Sequence, residues 1–349
     1  MISEREFFLI TDIGATNSRV CLKSVVRSTK TFVQLVKEET FQSNKEKSLE
    51  DVIFKFLKEF KGMPEYPKIA CLALAGPLNG TSVTITNVPH WPPFDYKVAS
   101  INLNIPEIKI LNDFEANGYG ILNIDLDKAL QINKGVPAQA DAPKAFIGTG
   151  TGLGEGIATK GPNDKNYSVF PSEGGHADFS PRNDLEFGLL MFVKDKFKID
   201  RVSVERCCCG LAIGFIYEYL LKVALKDKIS TLFEENGKDL NKISNEMIFE
   251  AALNSKDEVC VETLKLFTSI YGGEAGNLAL KILPFGGLFL MSGITMAIKK
   301  YIVEDPTFLE NFLSKGRMRK LLDKVPIFFA DEDAGLKGSE NYVLNNILI

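Results

Sequence analysis

The sequence has no apolar run approaching the ~20 residues a membrane-spanning helix requires. It has no surplus of basic charge either. Its 41 Lys and Arg stand against 45 Asp and Glu, a formal net charge of −4, so nothing marks it for nucleic acid or an anionic lipid surface. Six cysteines, at 21, 71, 207, 208, 209 and 260, are too few and too unevenly spaced for the disulfide framework of a small secreted protein. There is no GK[ST] tripeptide, which excludes a Walker A loop, and no internal repeat, low-complexity tract or heptad run. The opening MISEREFFLITD lacks the basic-then-apolar build of a signal peptide, and the closing LNNILI is neither a peroxisomal nor an ER-retention tail. A cytoplasmic protein is the expectation.

What remains is an ordinary globular composition, 45% hydrophobic and 25% charged over 349 residues, long enough that two domains are expected. Residues 7–14 read as a buried strand, with 19–26 as its antiparallel neighbour after a tight turn. Ser48 caps a helix in which Leu49, Val52, Ile53, Phe56, Leu57 and Phe60 recur at helical spacing. Further strands are expected over 68–75, 82–86 and 107–111, with a proline-rich loop at 87–93. Helical periodicity marks 184–196, 203–223, 244–253 and 257–281, and strand character returns at 285–292 and 325–330. The order implies an α/β chain, with a second α/β unit beginning near Asp113.

Two segments resemble each other in kind: FLITDIGATNSR (8–19) and FIGTGTGLGEG (146–156). Each is an apolar strand running into a turn of glycine and small hydroxyl residues. Backbone N–H groups in such turns converge on phosphate oxygens because no Cβ blocks the approach. Gly14, Ala15 and Thr16, followed by Asn17, would form one cradle, and the residues from Gly148 through Gly150, Thr151 and Gly152 to Gly154 the other. Asp12, where the first strand ends, is placed to hold a Mg²⁺-bound water. Either motif alone also reads as an ordinary tight turn. A dinucleotide loop at 148–154 would need a helix next, whereas residues 155–162 read as a strand and hairpin.

A second set of residues concerns an acceptor. Asn112-Asp113 follows a strand and precedes a helix, which suits a helix N-cap or a general base acting on an attacking hydroxyl. SEGGHADF (172–179) places Glu173 and His176 about two glycines, and Glu205 stands at a helix start. Together the five residues make a donor-and-acceptor set suited to a polyol.

At these residues the chain resembles a glucokinase of the bacterial type, within the hexokinase, actin and heat-shock ATPase superfamily. The resemblance rests on DIGATNSR (12–19), the loop Thr86-Asn87, LNDFEA (111–116), GTGTGLG (148–154), SEGGHADF (172–179), SVER (203–206), GNLAL (276–280) and FGGLFLMSGI (285–294). It implies an α/β, two-domain actin-like ATPase (ribonuclease H-like) fold, with an active-site cleft between a small domain (1–112 plus about 331–349) and a large one (113–330). It also implies ATP-dependent phosphorylation of D-glucose to glucose 6-phosphate, the first step of glycolysis, with Mg²⁺ accompanying ATP. Asp113 would activate the sugar 6-hydroxyl. Asn87, Asn112, Glu173, His176 and Glu205 would bind the sugar, Asp12 to Asn17 and Gly150 to Gly152 the phosphates, and Gly287 and Gly293 would border the adenosine. A homodimer is expected, with glucose and ATP as partners and neither nucleic acid nor membrane. A kinase for another hexose, a sugar-responsive regulator and an actin-like structural ATPase are the rivals.

Two departures from that pattern stand out. Ala15 replaces a usual glycine and would be strained if the position needs positive φ. Cys207-Cys208-Cys209 replaces a Ser-Gly-Pro-like segment. Three consecutive thiols suit a tetrahedral zinc poorly, so buried side chains within a helix are expected there.

Overall fold

The computed structural model describes residues 5–26, 33–254, 256–330 and 334–348. The chain divides into two compact units, Met1–Ile124 with Asp333–Ile349, and Asp125–Glu332.

In the first unit, β1 (Arg5–Ile13), β2 (Asn17–Val26) and β3 (Gln34–Gln42) form an antiparallel meander. Ser48 caps α1 (Leu49–Leu57) by accepting from the backbone N–H of Asp51 at 3.0 Å. The apolar stripe of that helix is buried with Leu9, Ile13, Val20 and Leu22 of the sheet. β4 (Ile69–Leu74) runs parallel to β1 and is buried along its whole length, as its unbroken apolar sequence requires. The strand expected over 82–86 is cut to two residues. Thr86 N–H turns back to the carbonyl of Ala75, while Gly76, at φ +140, lies so close to the Thr84 carbonyl that a Cβ would meet it at 2.1 Å. Short strands β5 (Leu78–Asn79), β6 (Ser82–Val83) and β7 (Phe94–Asp95) make a small sheet of their own. After α2 (Tyr96–Asn102), β8 (Glu107–Asn112) pairs parallel with β4 and leads directly into α3 (Asp113–Ile121). The main sheet therefore runs β3-β2-β1-β4-β8.

The second unit repeats that plan. β9 (Lys144–Thr149), β10 (Leu153–Thr159) and β11 (Ser168–Ser172) are antiparallel, and β12 (Leu288–Met291) and β13 (Ile327–Phe329) extend the sheet in parallel, in the order β11-β10-β9-β12-β13. Helices α4 (Asp184–Phe197), α5 (Gly210–Tyr219), α6 (Thr231–Glu235), α7 (Asn245–Leu253) and α8 (Glu258–Ile282) follow β11. Between β12 and β13 stand α9 (Gly293–Ala297), α10 (Lys299–Glu304), α11 (Thr307–Leu313) and α12 (Arg319–Leu322). The helix expected over 203–223 is divided. A 3-10 turn at Val204–Cys207 precedes α5; between them Cys208, at φ −146 and ψ 57, leaves the helical conformation and Cys209, at φ −149 and ψ −178, is extended. The cysteine triplet thus lies in a buried turn instead of a helix, with burial raising all three thiol pKa values.

The last helix, α13 (Ala334–Tyr342), belongs to the first unit. The return expected from about residue 331 begins on residues 331–333, which lie outside the described ones. The boundary expected after Asn112 falls instead after Ile124, because α3 packs closely on α13. A Cβ on Gly120 would stand 2.1 Å from the Ala334 carbonyl oxygen, and one on Gly338 would stand 1.6 Å from that of Ala116. Asn341 reinforces the crossing by donating to the Tyr119 carbonyl at 2.9 Å.

Candidate active site

Each unit carries its own set of the expected residues. In the first, the parallel strands β1, β4 and β8 end together: Asp12 is level with Ala73, and Leu74 with Asn112. Ligands of open α/β sheets bind beyond such carboxyl ends.

The turn between β1 and β2 is held from behind. Ser43 donates its N–H to the Thr16 carbonyl at 2.9 Å and its hydroxyl to the Gly14 carbonyl at 2.8 Å, and Gly14 N–H reaches the Asn17 carbonyl at 2.9 Å. Ala15, Thr16 and Asn17 remain exposed. Among the described residues of positive φ, neither Gly14 nor Ala15 appears, so alanine at 15 carries no backbone strain. Gly14 is constrained by space, since a Cβ there would stand 3.0 Å from the Asn17 carbonyl. Asn87 reaches the same region, its amide donating to the Ile13 carbonyl at 3.4 Å.

Asn112 is the N-cap of α3: its Oδ1 accepts from Phe114 N–H at 2.9 Å and Glu115 N–H at 3.4 Å, with Glu115 closing a capping box. The amide nitrogen of Asn112 takes no part in that cap. Asp113, one position on, is half-buried, with Oδ1 accepting from Phe114 N–H at 2.9 Å. Burial, then the negative charge of nearby Asp12, raises the Asp113 carboxyl above the usual carboxylate range. A proton acceptor of raised affinity therefore stands at the first turn of a helix, close to a second carboxylate.

In the second unit, the turn between β9 and β10 is closed by Gly150 N–H donating to the Gly152 carbonyl at 2.9 Å, and the Gly150 carbonyl accepts from Gly210 N–H at 2.8 Å. Thr151 is exposed at its tip. Glu205 reaches this turn, accepting from Leu153 N–H at 3.0 Å, and a Cβ on Gly152 would stand 2.5 Å from its Oε2. Its other oxygen lies 3.9 Å from Nδ1 of His176, whose Nε2 lies 3.8 Å from Glu173. The imidazole thus sits between two carboxylates at distances that leave their lone pairs for hydroxyls. Arg201 fixes the loop by donating to the His176 carbonyl at 2.8 Å and to Asp178 at 2.9 Å. A cavity of about 360 Å³ opens here, lined by Thr151, His176, Glu205, Arg206 and Phe215 among others.

Gly293 and Gly287 part company. Gly293 follows β12 at the end level with Gly148, beside the glycine turn, whereas Gly287 precedes β12 at the opposite end. Gly287 is buried at φ +128, and its carbonyl accepts from Ala145 N–H. A side chain there would meet the ring of Phe289 at 2.8 Å. Its glycine serves the strand start, and it does not join the nucleotide group.

Three residues on which no motif focused also shape these turns. Ser43 is one. Ser292, at φ +78 and ψ 161, occupies a region costly for any residue but glycine, and its hydroxyl would clash with a Cβ on Gly148. Thr295 Oγ1 accepts from Thr149 N–H at 3.3 Å and hydrogen-bonds Tyr271. Their serines and threonines carry no spacing signal, since each acts across the fold.

A family model described as Glucokinase matches residues 9–346. The glucokinase of Trichormus variabilis is 39% identical over 337 residues, covering 94% of this chain and 96% of its own. The crystal structure of a glucokinase from an Antarctic psychrotroph, 27% identical, superposes with a TM-score of 0.80 over 98% of this chain and 99% of its own. A ROK family glucokinase from Streptomyces griseus, solved in complex with glucose and AMPPNP, shares the fold at TM-score 0.59 and 18% identity, over 96% and 98% of the two chains.

Proposed function

The chain belongs to the glucokinase family, and on that premise we propose that Asp113 is the base in its ATP-dependent phosphorylation of glucose. The observation that carries this reading is the setting of Asp113: a half-buried carboxylate of raised proton affinity, at the carboxyl end of three parallel strands. Asp113 takes the proton of the 6-hydroxyl as that oxygen bonds to the γ-phosphorus. The bond from that phosphorus to the ADP oxygen breaks, and Asp113 is left as the carboxylic acid. In the first unit, the sugar-binding roles are assigned to Asn87 and Asn112; in the second, they are assigned to Glu173, His176 and Glu205. The nucleotide-binding role is assigned to the turn Gly14–Asn17 in the first unit, and to the turn Gly150–Gly152 and Gly293 in the second. Most of the rate acceleration then comes from positioning and electrostatics.

Asp12 offers an exposed carboxylate oxygen, the hard donor that Mg²⁺ accepts directly or through its own water. Bound with ATP, the ion would offset charge on the phosphates. Glucose carried into this site is a proposal supported by the sugar and nucleotide analogue in the Streptomyces griseus structure. A coupled assay over glucose, mannose, fructose, galactose and N-acetylglucosamine is expected to show turnover on glucose above the others, abolished by EDTA and restored by added Mg²⁺. Turnover absent on all five sugars, or indifferent to EDTA, would refute the respective part of the reading.

The cytoplasm is the compartment we assign, supported by six cysteines that are all free and buried. No described helix is long and apolar enough to cross a membrane. A homodimer is the assembly we propose, with Phe187 and Met191, exposed on α4, as apolar surface a second copy would cover. Light scattering is expected to return twice the chain mass, and a monomer at micromolar concentration would oppose it.

A further inference from the structure

Glu155 takes no part in the chemistry above, yet it stands directly behind the sugar-side loop. It lies on β10 opposite Ser172 of β11, and its side chain is 1% exposed. A Cβ on Gly174 would stand 2.0 Å from Oε2 of Glu155, so the carboxyl group bears directly on the backbone of the Glu173–His176 turn. Its other oxygen, Oε1, is buried and has no hydrogen-bond partner. A naked carboxylate is costly in such a place.

The groups facing it make that cost worse. Glu274 of α8, itself buried, sets a second carboxylate against it, and Lys281 of the same helix offsets part of the effect. Tyr271 of α8 and Cys208 of the buried turn also lie within reach of its charge, and both are kept neutral by burial. Desolvation and then Glu274 push Glu155 up to about 7. A carboxyl group so placed is more stable with its proton on. Ionisation of Glu155 would put a buried charge against the carboxyl group of Glu274. The Glu173–His176 turn, exposed at both ends though Gly175 is buried, is the side that can shift, since β10 is fixed on both edges by β9 and β11.

We propose that Glu155 is a proton-dependent positioning residue, seating the Glu173–His176 turn for sugar when protonated and loosening it when ionised. The inference rests on reading that turn as the sugar side of the site. It predicts that the KM for glucose rises with pH above about 7, by at most roughly tenfold per pH unit for one linked proton, while the KM for ATP does not.

The test is steady-state kinetics on the full chain from about pH 6 to about pH 8.5. Wild type is expected to show the rise in glucose KM, and Glu155→Gln, which stays neutral, a flat profile. A flat wild-type profile, or a Glu155→Gln profile that rises like wild type, overturns the proposal. Should Glu155→Gln not fold, Glu274→Gln removes the opposing charge and is expected to shift the rise to lower pH or abolish it, and an unchanged profile there also overturns it. His176→Ala separates the two readings. Its glucose KM should be raised at every pH, and a wild-type value would remove the turn from the sugar site whatever Glu155 does.

Discussion

Asp113→Asn is expected to lower kcat by about 10²- to 10⁴-fold, the usual worth of a positioned base, with little change in glucose affinity. The asparagine keeps an oxygen for the 2.9 Å bond from Phe114 N–H, and Asn112 still caps the helix, so the local fold should survive. A coupled assay gives kcat and calorimetry gives sugar binding; near-normal turnover would remove Asp113 from its role. The pH dependence has a definite sign. Only the ionised carboxylate can accept the proton, so wild-type kcat/KM should fall as pH drops through the raised pKa of Asp113. Stability moves the opposite way. A carboxyl whose folded pKa lies above its unfolded value contributes fully below the unfolded pKa, and that contribution is lost as pH rises through the folded one. At neutral pH the wild type therefore bears the cost of a half-buried charge beside Asp12. Asp113→Asn should melt at a higher temperature while being nearly inactive.

Gly338→Ala is the second large effect, and it acts on stability. Its Cβ would fall 1.6 Å from the Ala116 carbonyl oxygen and 2.8 Å from Gly120 N. Both obstacles are backbone, so no side-chain rotation can relieve them, and α3 must separate from α13. The loss should reach or exceed the ~1–3 kcal/mol typical of overpacking, read as a lowered midpoint in thermal or urea unfolding. Because α3 begins at Asp113, kcat should drop as well. Gly214→Ala is the control: that glycine lies within α5 with nothing near its missing Cβ, so alanine should stabilise by roughly 0.5–1 kcal/mol through helix propensity. Equal melting of Gly338→Ala and wild type would refute the close crossing.

Local chemistry was readable along the chain; relations across it were not. Ser48 and the stripe from Leu49 to Leu57 specify a capped helix within one window, and that helix forms where expected. The strand and hairpin after Gly154 likewise follow from residues 153–172 alone. By contrast, β3 was missed because it is an edge strand with no fully buried residue, so its sequence lacks the alternation that marks a half-buried strand. The break at Cys208 and Cys209 was hidden because thiols fill a buried turn as readily as a buried helix face. Gly287 looked like its neighbour Gly293 by spacing, but a strand of four residues separates them to opposite ends of the sheet. The matching order of the two five-stranded sheets left no trace as a sequence repeat, since it is pairing and direction that recur, not side chains. Of the candidate site, the residues within each motif were legible, whereas the Ser43 clamp, the strained Ser292 and the carboxyl of Glu155 behind Gly174 depend on chain crossings.

The placement of α13 has a consequence for how the protein is made. Synthesis is vectorial, and domains ordinarily fold as their residues emerge. The first unit begins with β1 yet closes one face of its sheet and the notch of α3 with residues from Ala334 onward. The strands β1 to β8 must therefore wait for α13, with the residues of the second unit emerging meanwhile. The unit that carries Asp113 is in this sense the later of the two to be completed, and a nascent chain halted short of Ala334 should hold β1 to β8 without the helix that covers them.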